Sequence, residues 1–248
     1  MLVALVAAWF VASMARRAVR KGLEKARFDA TLTRFFSNTA RYGILLAAVL
    51  GCLGVFGVDT TSFAAVIGAA GLAVGLAFQG TLSNFAAGVM LLVFRPFKVD
   101  DLISVASTTG VVVEVELFTT ELITLDNVRI IVPNSSVFGS EIKNFSYHEH
   151  RRVDVNVGTD YGADIDATRA VLERAISEIP GAVADPAPEV FLEGLGSSSI
   201  DWQLRCFAPP ADYWAVQQAM TRAGKYALDE AKVKIPFPQM DVHLDKAS

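Results

Sequence analysis

FAAVIGAAGLAVGLAFQGTLSNFAAGVMLLVF, residues 63–94, is followed at once by Arg95-Pro96-Phe97-Lys98. The 32 residues carry no charge and are dense in Gly and Ala. A polar break at Gln79, Gly80, Thr81, Ser83 and Asn84 divides a small, apolar first half from a second apolar half. A helix of this length would run about 48 Å, beyond a hydrocarbon core of about 30 Å. The segment must therefore tilt or bend, and Gly80 is where bending costs least.

The rest of the chain divides around this stretch. Of 248 residues, 52% are hydrophobic, which is too many for an ordinary water-soluble domain. Residues 1–94 hold eight Lys/Arg against three Asp/Glu, a net of +5. Residues 95–248 hold fourteen against twenty-three, a net of −9. A basic membrane part thus precedes an acidic part in water. Spans are expected at about 1–20, 32–58 and 63–94. The first apolar run, Met1–Ala15, rises only about 22 Å and opens without a flank, so a natural beginning is expected to be missing.

Between the first two spans lie Arg16, Arg17, Arg20, Lys21, Lys25 and Arg27, opposed only by Glu24 and Asp29. Val58-Asp59-Thr60-Thr61-Ser62, between the second and third, contains no base. The positive-inside rule puts the basic loop in the cytoplasm, the N-terminus outside and everything after Phe94 inside. Arg95 and Lys98 agree. Cys52 and Cys206 form no disulfide framework and have no metal spacing.

Within the third span Ala69, Ala73 and Ala77 recur every four residues, as do Gly71 and Gly75. Such spacing lets helix backbones approach closely. A tightly packed helix pair gives the same pattern. Small residues on several faces point further, to similar neighbours on both sides, as in a ring of copies. Leu72 and Leu76, four apart among these small residues, would then form an apolar constriction that gates by dewetting. The second half, Phe85–Phe94, is expected to lie near the membrane surface as an amphipathic segment.

The run AAGLAVGLAFQGTLSNFAAGVMLLVFRPFK resembles the third helix of the bacterial small-conductance mechanosensitive channel family. The likeness continues through IIVPNSSVFGSEIKNFS and ends in IPFPQMDV, covering nearly the whole chain from about Arg16. The resemblance implies a homoheptamer of the cell (inner) membrane that opens under tension and passes ions and small osmolytes on hypo-osmotic shock. It makes Leu72 and Leu76 the pore gate, Gly80 the kink and Gly88 a second hinge. Phe35, Phe78 and Leu82 match positions that transmit force to the pore, with Phe78 where leucine is common. Asp29 matches an acid that pairs with bases after the third helix, here Arg95 and Lys98.

From Asp101 the pattern becomes short strands: 101–106, 110–117, 119–125 and 128–132 read as an antiparallel β unit, with Asn134 capping a helical turn to Phe138. A β-α-β-β-α-β unit follows. Its first strand, 151–158, points Val153, Val155 and Val157 inward. A helix from an Asp164 cap to Ile179 comes next, then strands 189–195 and 199–207. A helix from about Ala211 to Lys232 and a strand near Met240–Leu244 complete it. The expected architecture is three transmembrane helices (1–94), an all-β domain (95–150), a ferredoxin-like α+β domain (151–237) and a C-terminal barrel strand (238–248).

An enzyme would need a constellation of catalytic groups, and the sequence offers none: no GxxxxGK[ST] and no GxGxxG after a strand. No cofactor is expected. His148-Glu149-His150 reads as an exposed loop rather than a metal site. The net −9 of the second part disfavours nucleic acid. A transporter would call for repeats and ionisable groups at mid-membrane depth. A membrane-anchored ligand-binding or scaffold module remains the alternative, because ferredoxin-like units host many functions.

Overall fold

The computed structural model describes residues 2–56 and 58–243. The chain forms two compact units, Met1–Gly80 and Thr81–Ser248, and the boundary falls inside one helix.

In the first unit, helices α1 (Leu2–Lys25) and α2 (Ala30–Val55) pack against each other. Small or hydroxylated side chains, Ala12, Thr33 and Ser37, are buried there. The basic residues expected to form a connecting loop instead extend α1 to Lys25. Arg and Lys are good helix formers, and Arg20 pairs with Glu24 one turn on, at 2.7 Å. The connection is left as four residues, 26–29. Arg27 there adopts φ 57°, and the Asp29 carboxylate caps α2 by accepting the amides of Thr31 (2.7 Å) and Leu32 (3.3 Å). Helix α3 (Thr61–Phe94) begins beside Asp59, which accepts the Thr61 amide at 2.8 Å, and runs unbroken across the unit boundary. Helices α2 and α3 are long and apolar enough to cross a membrane.

The second unit holds two layered domains with separate cores. The first is a five-stranded antiparallel sheet of β1 (Leu102–Val105), β2 (Thr108–Val115), β3 (Thr119–Ile123), β4 (Arg129–Pro133) and β5 (Lys143–Asn144), in the order β4-β3-β2-β1-β5. Ile103, Val105, Val112 and Leu122 point to one side and bury there with Val137 of the short helix α4 (Asn134–Phe138). Pro133, not Asn134, is the cap of α4. Asn134 is wholly buried inside the fold because its amide has better partners there, described below.

The second domain places β6 (Arg151–Thr159), β7 (Glu189–Leu195) and β8 (Ile200–Ala208) in the order β6-β8-β7, all antiparallel. Helices α5 (Ile165–Ile176) and α6 (Tyr213–Glu230) cover one face. The alternation of Ile200, Trp202, Leu204 and Cys206 buries each of them against Leu172, Ile176, Met220 and Leu228. Trp202 also donates its Nε1–H to Thr159 Oγ1 at 2.9 Å. Asp164 caps α5 through the Ala167 amide, as its position predicts. The helix stops at Ile176, and Ile179 still reaches the core from the loop.

Residues 240–243, where a last strand was expected, lie in no strand, and Leu244–Ser248 fall outside the described residues. Among the described residues β6 is therefore paired on one side only, by β8. The tail is held near the sheet's end by the Asp160 amide on the Lys234 carbonyl (2.9 Å) and the Gln239 amide on Ser198 Oγ (3.0 Å).

Candidate functional site: the small-residue helix and its seat

The two halves of α3 have different surroundings. In the first half, a Cβ added at Gly68, Gly71, Gly75 or Gly80 would meet nothing within 4 Å. Ala69, Ala73 and Ala77 are exposed beside them. Leu72 is 65% exposed and Leu76 61%. A helix this apolar and this bare presents backbone-deep grooves that only another close-packing surface or lipid can fill.

The second half is seated on the five-stranded domain, both within the second unit. Asn84, Ala87, Gly88 and Leu91, at i, i+3, i+4 and i+7, share one face. Leu91 is buried in the sheet's core with Phe97. Gly88 lies so close to the Leu117 carbonyl and the Asn134 side chain that a Cβ would be driven into both. Asn84 Oδ1 accepts the Ser135 amide, at the start of α4, at 2.9 Å. Phe85 and Phe118 meet with ring centroids 6.0 Å apart. This segment is thus a docked helix half.

Asn134 organises the seat. Its Oδ1 accepts from Thr120 Oγ1 (2.8 Å), its Nδ2 donates to the Glu116 carbonyl (2.8 Å) and its backbone N–H to the Phe118 carbonyl (2.9 Å). A buried amide with these groups met fixes the 116–118 turn against α3. Neither Asn134 nor Leu91 stands out from sequence alone as part of a site. The i, i+3, i+4, i+7 spacing from Asn84 to Leu91 is the one signal that could have found the seat.

The remaining residues singled out from sequence lie apart. Phe35 meets Phe36 edge to face at 5.4 Å, and Phe78 and Leu82 project from α3, 63% and 67% exposed. Asp29 is engaged as the cap of α2. The Thr31 amide first, then that of Leu32, hold its carboxyl below the ordinary carboxylate range. Arg95, at φ 49°, donates Nε–H to the Leu92 carbonyl at 3.3 Å. Arg95 and Lys98 border a cleft of about 320 Å³ floored by Leu91, Phe97 and Val115.

Four successive family profiles match: the mechanosensitive ion channel conserved TM helix (residues 2–31), its transmembrane helices 2/3 (38–79), its beta-domain (80–147) and the MscS C-terminal region (153–235). A small-conductance mechanosensitive channel of Edwardsiella ictaluri is 43% identical across 99% of this chain and 87% of its own length. One from Helicobacter pylori is 30% identical over 86% of this chain and 78% of its own length. The solved closed state of Helicobacter pylori MscS superposes with a TM-score of 0.90 at 28% identity, covering 99% of this chain and 97% of that one. Arabidopsis thaliana MSL1 shares the fold at a TM-score of 0.79 and 21% identity, over 95% of this chain and 86% of its own. Three N-terminal helices matching membrane-helix profiles, a β domain and an α+β domain in this order make the chain a member of the small-conductance mechanosensitive ion channel family.

Proposed function

We infer that the protein is a tension-gated, weakly selective channel for ions and small osmolytes that opens on hypo-osmotic shock. The carrying observation is the bare first half of α3, where exposed Leu72 and Leu76 stand among glycines with open space around them. Copies of α3 packed through Ala69, Gly71, Ala73, Gly75 and Ala77 around an axis fill those grooves and turn the leucines into a dry constriction. Seven copies is the number that the family resemblance implies. The partners of this reading are the membrane lipids, further copies of the chain and the permeant solutes.

The assigned orientation puts the N-terminus outside the inner membrane and residues 95–248 in the cytoplasm, following the bases of α1. Tension favours the state of larger in-plane area. The α1–α2 pair then tilts, α3 separates from its neighbours and the constriction wets. Phe35, Phe78 and Leu82 carry force between these layers. Gly80, at the boundary between the compact units, is the bending point, and Asp29 with Arg95 and Lys98 couples the membrane helices to the cytoplasmic side. Pressure-clamp recording of the purified protein in liposomes tests this. Tension-dependent unitary currents are expected, and silence up to membrane rupture would sink the reading.

A further inference from the structure

The joint between the β domain and the α+β domain is a short segment, Phe145–His150, with a side-chain clasp across it. Phe145 belongs to the β domain by its backbone: its N–H donates to the Leu102 carbonyl at 2.9 Å, and the next residue, Ser146, accepts the Leu102 amide at 3.0 Å. Tyr213 belongs to the α+β domain, packing on its core at the first turn of α6. Arg151, the first residue of β6, lies over both rings. Its guanidinium carbon is 4.5 Å from the Phe145 centroid and 3.8 Å from that of Tyr213. The chain brings Tyr213 there because β8 ends at Ala208, the register partner of Arg151, and Pro209-Pro210 then turns it back through a short 3-10 segment.

We propose that Arg151 is a positioning residue that pins the angle between the β domain and the α+β domain, and through the β domain the seat of α3. A planar cation that lies over two rings at once resists tilting of either, unlike an ion pair that swivels about a point. The hydrogen bonds of Phe145 and Ser146 tie the segment to the β domain alone, and Tyr147, His148 and Glu149 beyond them are exposed. The β domain in turn grips Asn84, Gly88 and Leu91 of α3. Loosening the pin therefore softens the base on which the helix moves. The electrical part of this inference rests on the channel reading above; the structural part does not.

The test uses the full chain in lipid nanodiscs, with amide hydrogen exchange read over residues 145–150 and over the β6–β8 ladder. Arg151→Ala should speed exchange at the hydrogen-bonded amides of Phe145 and Ser146 on the order of tenfold, with the ladder at 153–157 unchanged. Arg151→Lys should recover little, since an ammonium cannot lie flat on two rings. Tyr213→Phe, which keeps the ring, should match wild type. Tyr213→Leu should match Arg151→Ala, and combining the two should add nothing. If Arg151→Ala also opens the ladder, Phe145→Leu, outside the α+β core, decides by the same readout. In patches, Arg151→Ala should alter closing and inactivation while leaving unitary current unchanged. Wild-type exchange in Arg151→Ala, additive effects in the double variant, or faster exchange with wild-type gating would each overturn the proposal. A silent wild-type protein would instead remove the channel reading, and the exchange experiment would still decide the clasp.

Discussion

At the scale of single residues, the strongest constraint is the buried amide of Asn134. Replacing it with Ala leaves the Thr120 hydroxyl and the Glu116 carbonyl without their partner in a dry site, a cost of about 1–3 kcal/mol. Thermal unfolding of the purified protein should show this as a lowered midpoint. Asn134→Asp should be no better, because a carboxylate cannot donate to the Glu116 carbonyl. Cys206 is inert for a related reason. Burial first, and then the negative charge of Asp154, push its thiol up to about 11, and its Sγ lies 3.0 Å from Met220 Sδ. In a Cys52→Ser background, a maleimide at pH 8 should leave Cys206 unlabelled until the α+β domain is unfolded. Labelling of the native protein within minutes would contradict that. The Asp29 cap carries a pH dependence of known sign. Its folded-state pKa is depressed, so its contribution is present above the ordinary Asp value and is lost as pH falls through the lower folded value. The protection of the Thr31 and Leu32 amides, relative to the intrinsic exchange rate at each pH, should hold at neutral pH and fall only in acid, whereas Asp29→Ala should lower it at every pH.

At the scale of elements, α3 shows what a sequence can and cannot disclose. Its extent was legible to within two residues, because 32 uncharged, helix-compatible positions leave few other solutions. The alternation that buries Ile200, Trp202, Leu204 and Cys206 was equally plain, since a period of two admits one reading. The docking of residues 84–94 was not legible. Gly88 looks like a hinge when its neighbours are unknown, and only the approach of the Leu117 carbonyl gives it a second reason to be glycine. Asn134 misled in the same way, because asparagine before a helical turn reads as a cap. Its real partners, Thr120 and Glu116, lie 14 and 18 residues away in the chain. The two readings of Gly88 separate by experiment. Gly88→Ala should weaken the seat by about 1–3 kcal/mol through overpacking, seen as faster amide exchange in residues 84–94. A hinge role alone would alter gating and leave that exchange unchanged.

For the whole molecule, the expected assembly is measurable without any current. Purified in lipid, the protein should have a mass seven times the 26.7 kDa of one chain. Leu72→Ser or Leu76→Ser should lower the opening pressure by hydrating the constriction, and an unchanged threshold would count against their role. Bulkier side chains at Ala73 or Gly75 should disturb the sliding of neighbouring helices, and unaltered gating would mean that those positions meet lipid instead.

The open edges of the three-stranded sheet carry a last consequence, β6 above all. Strand β6 offers a row of peptide groups along a rim that no described strand occupies. A rim of that kind accepts any extended segment of matching length, native or foreign. Copies held in water rather than lipid would thus have a way to pair edge to edge, and their aggregation should rise with the time spent there.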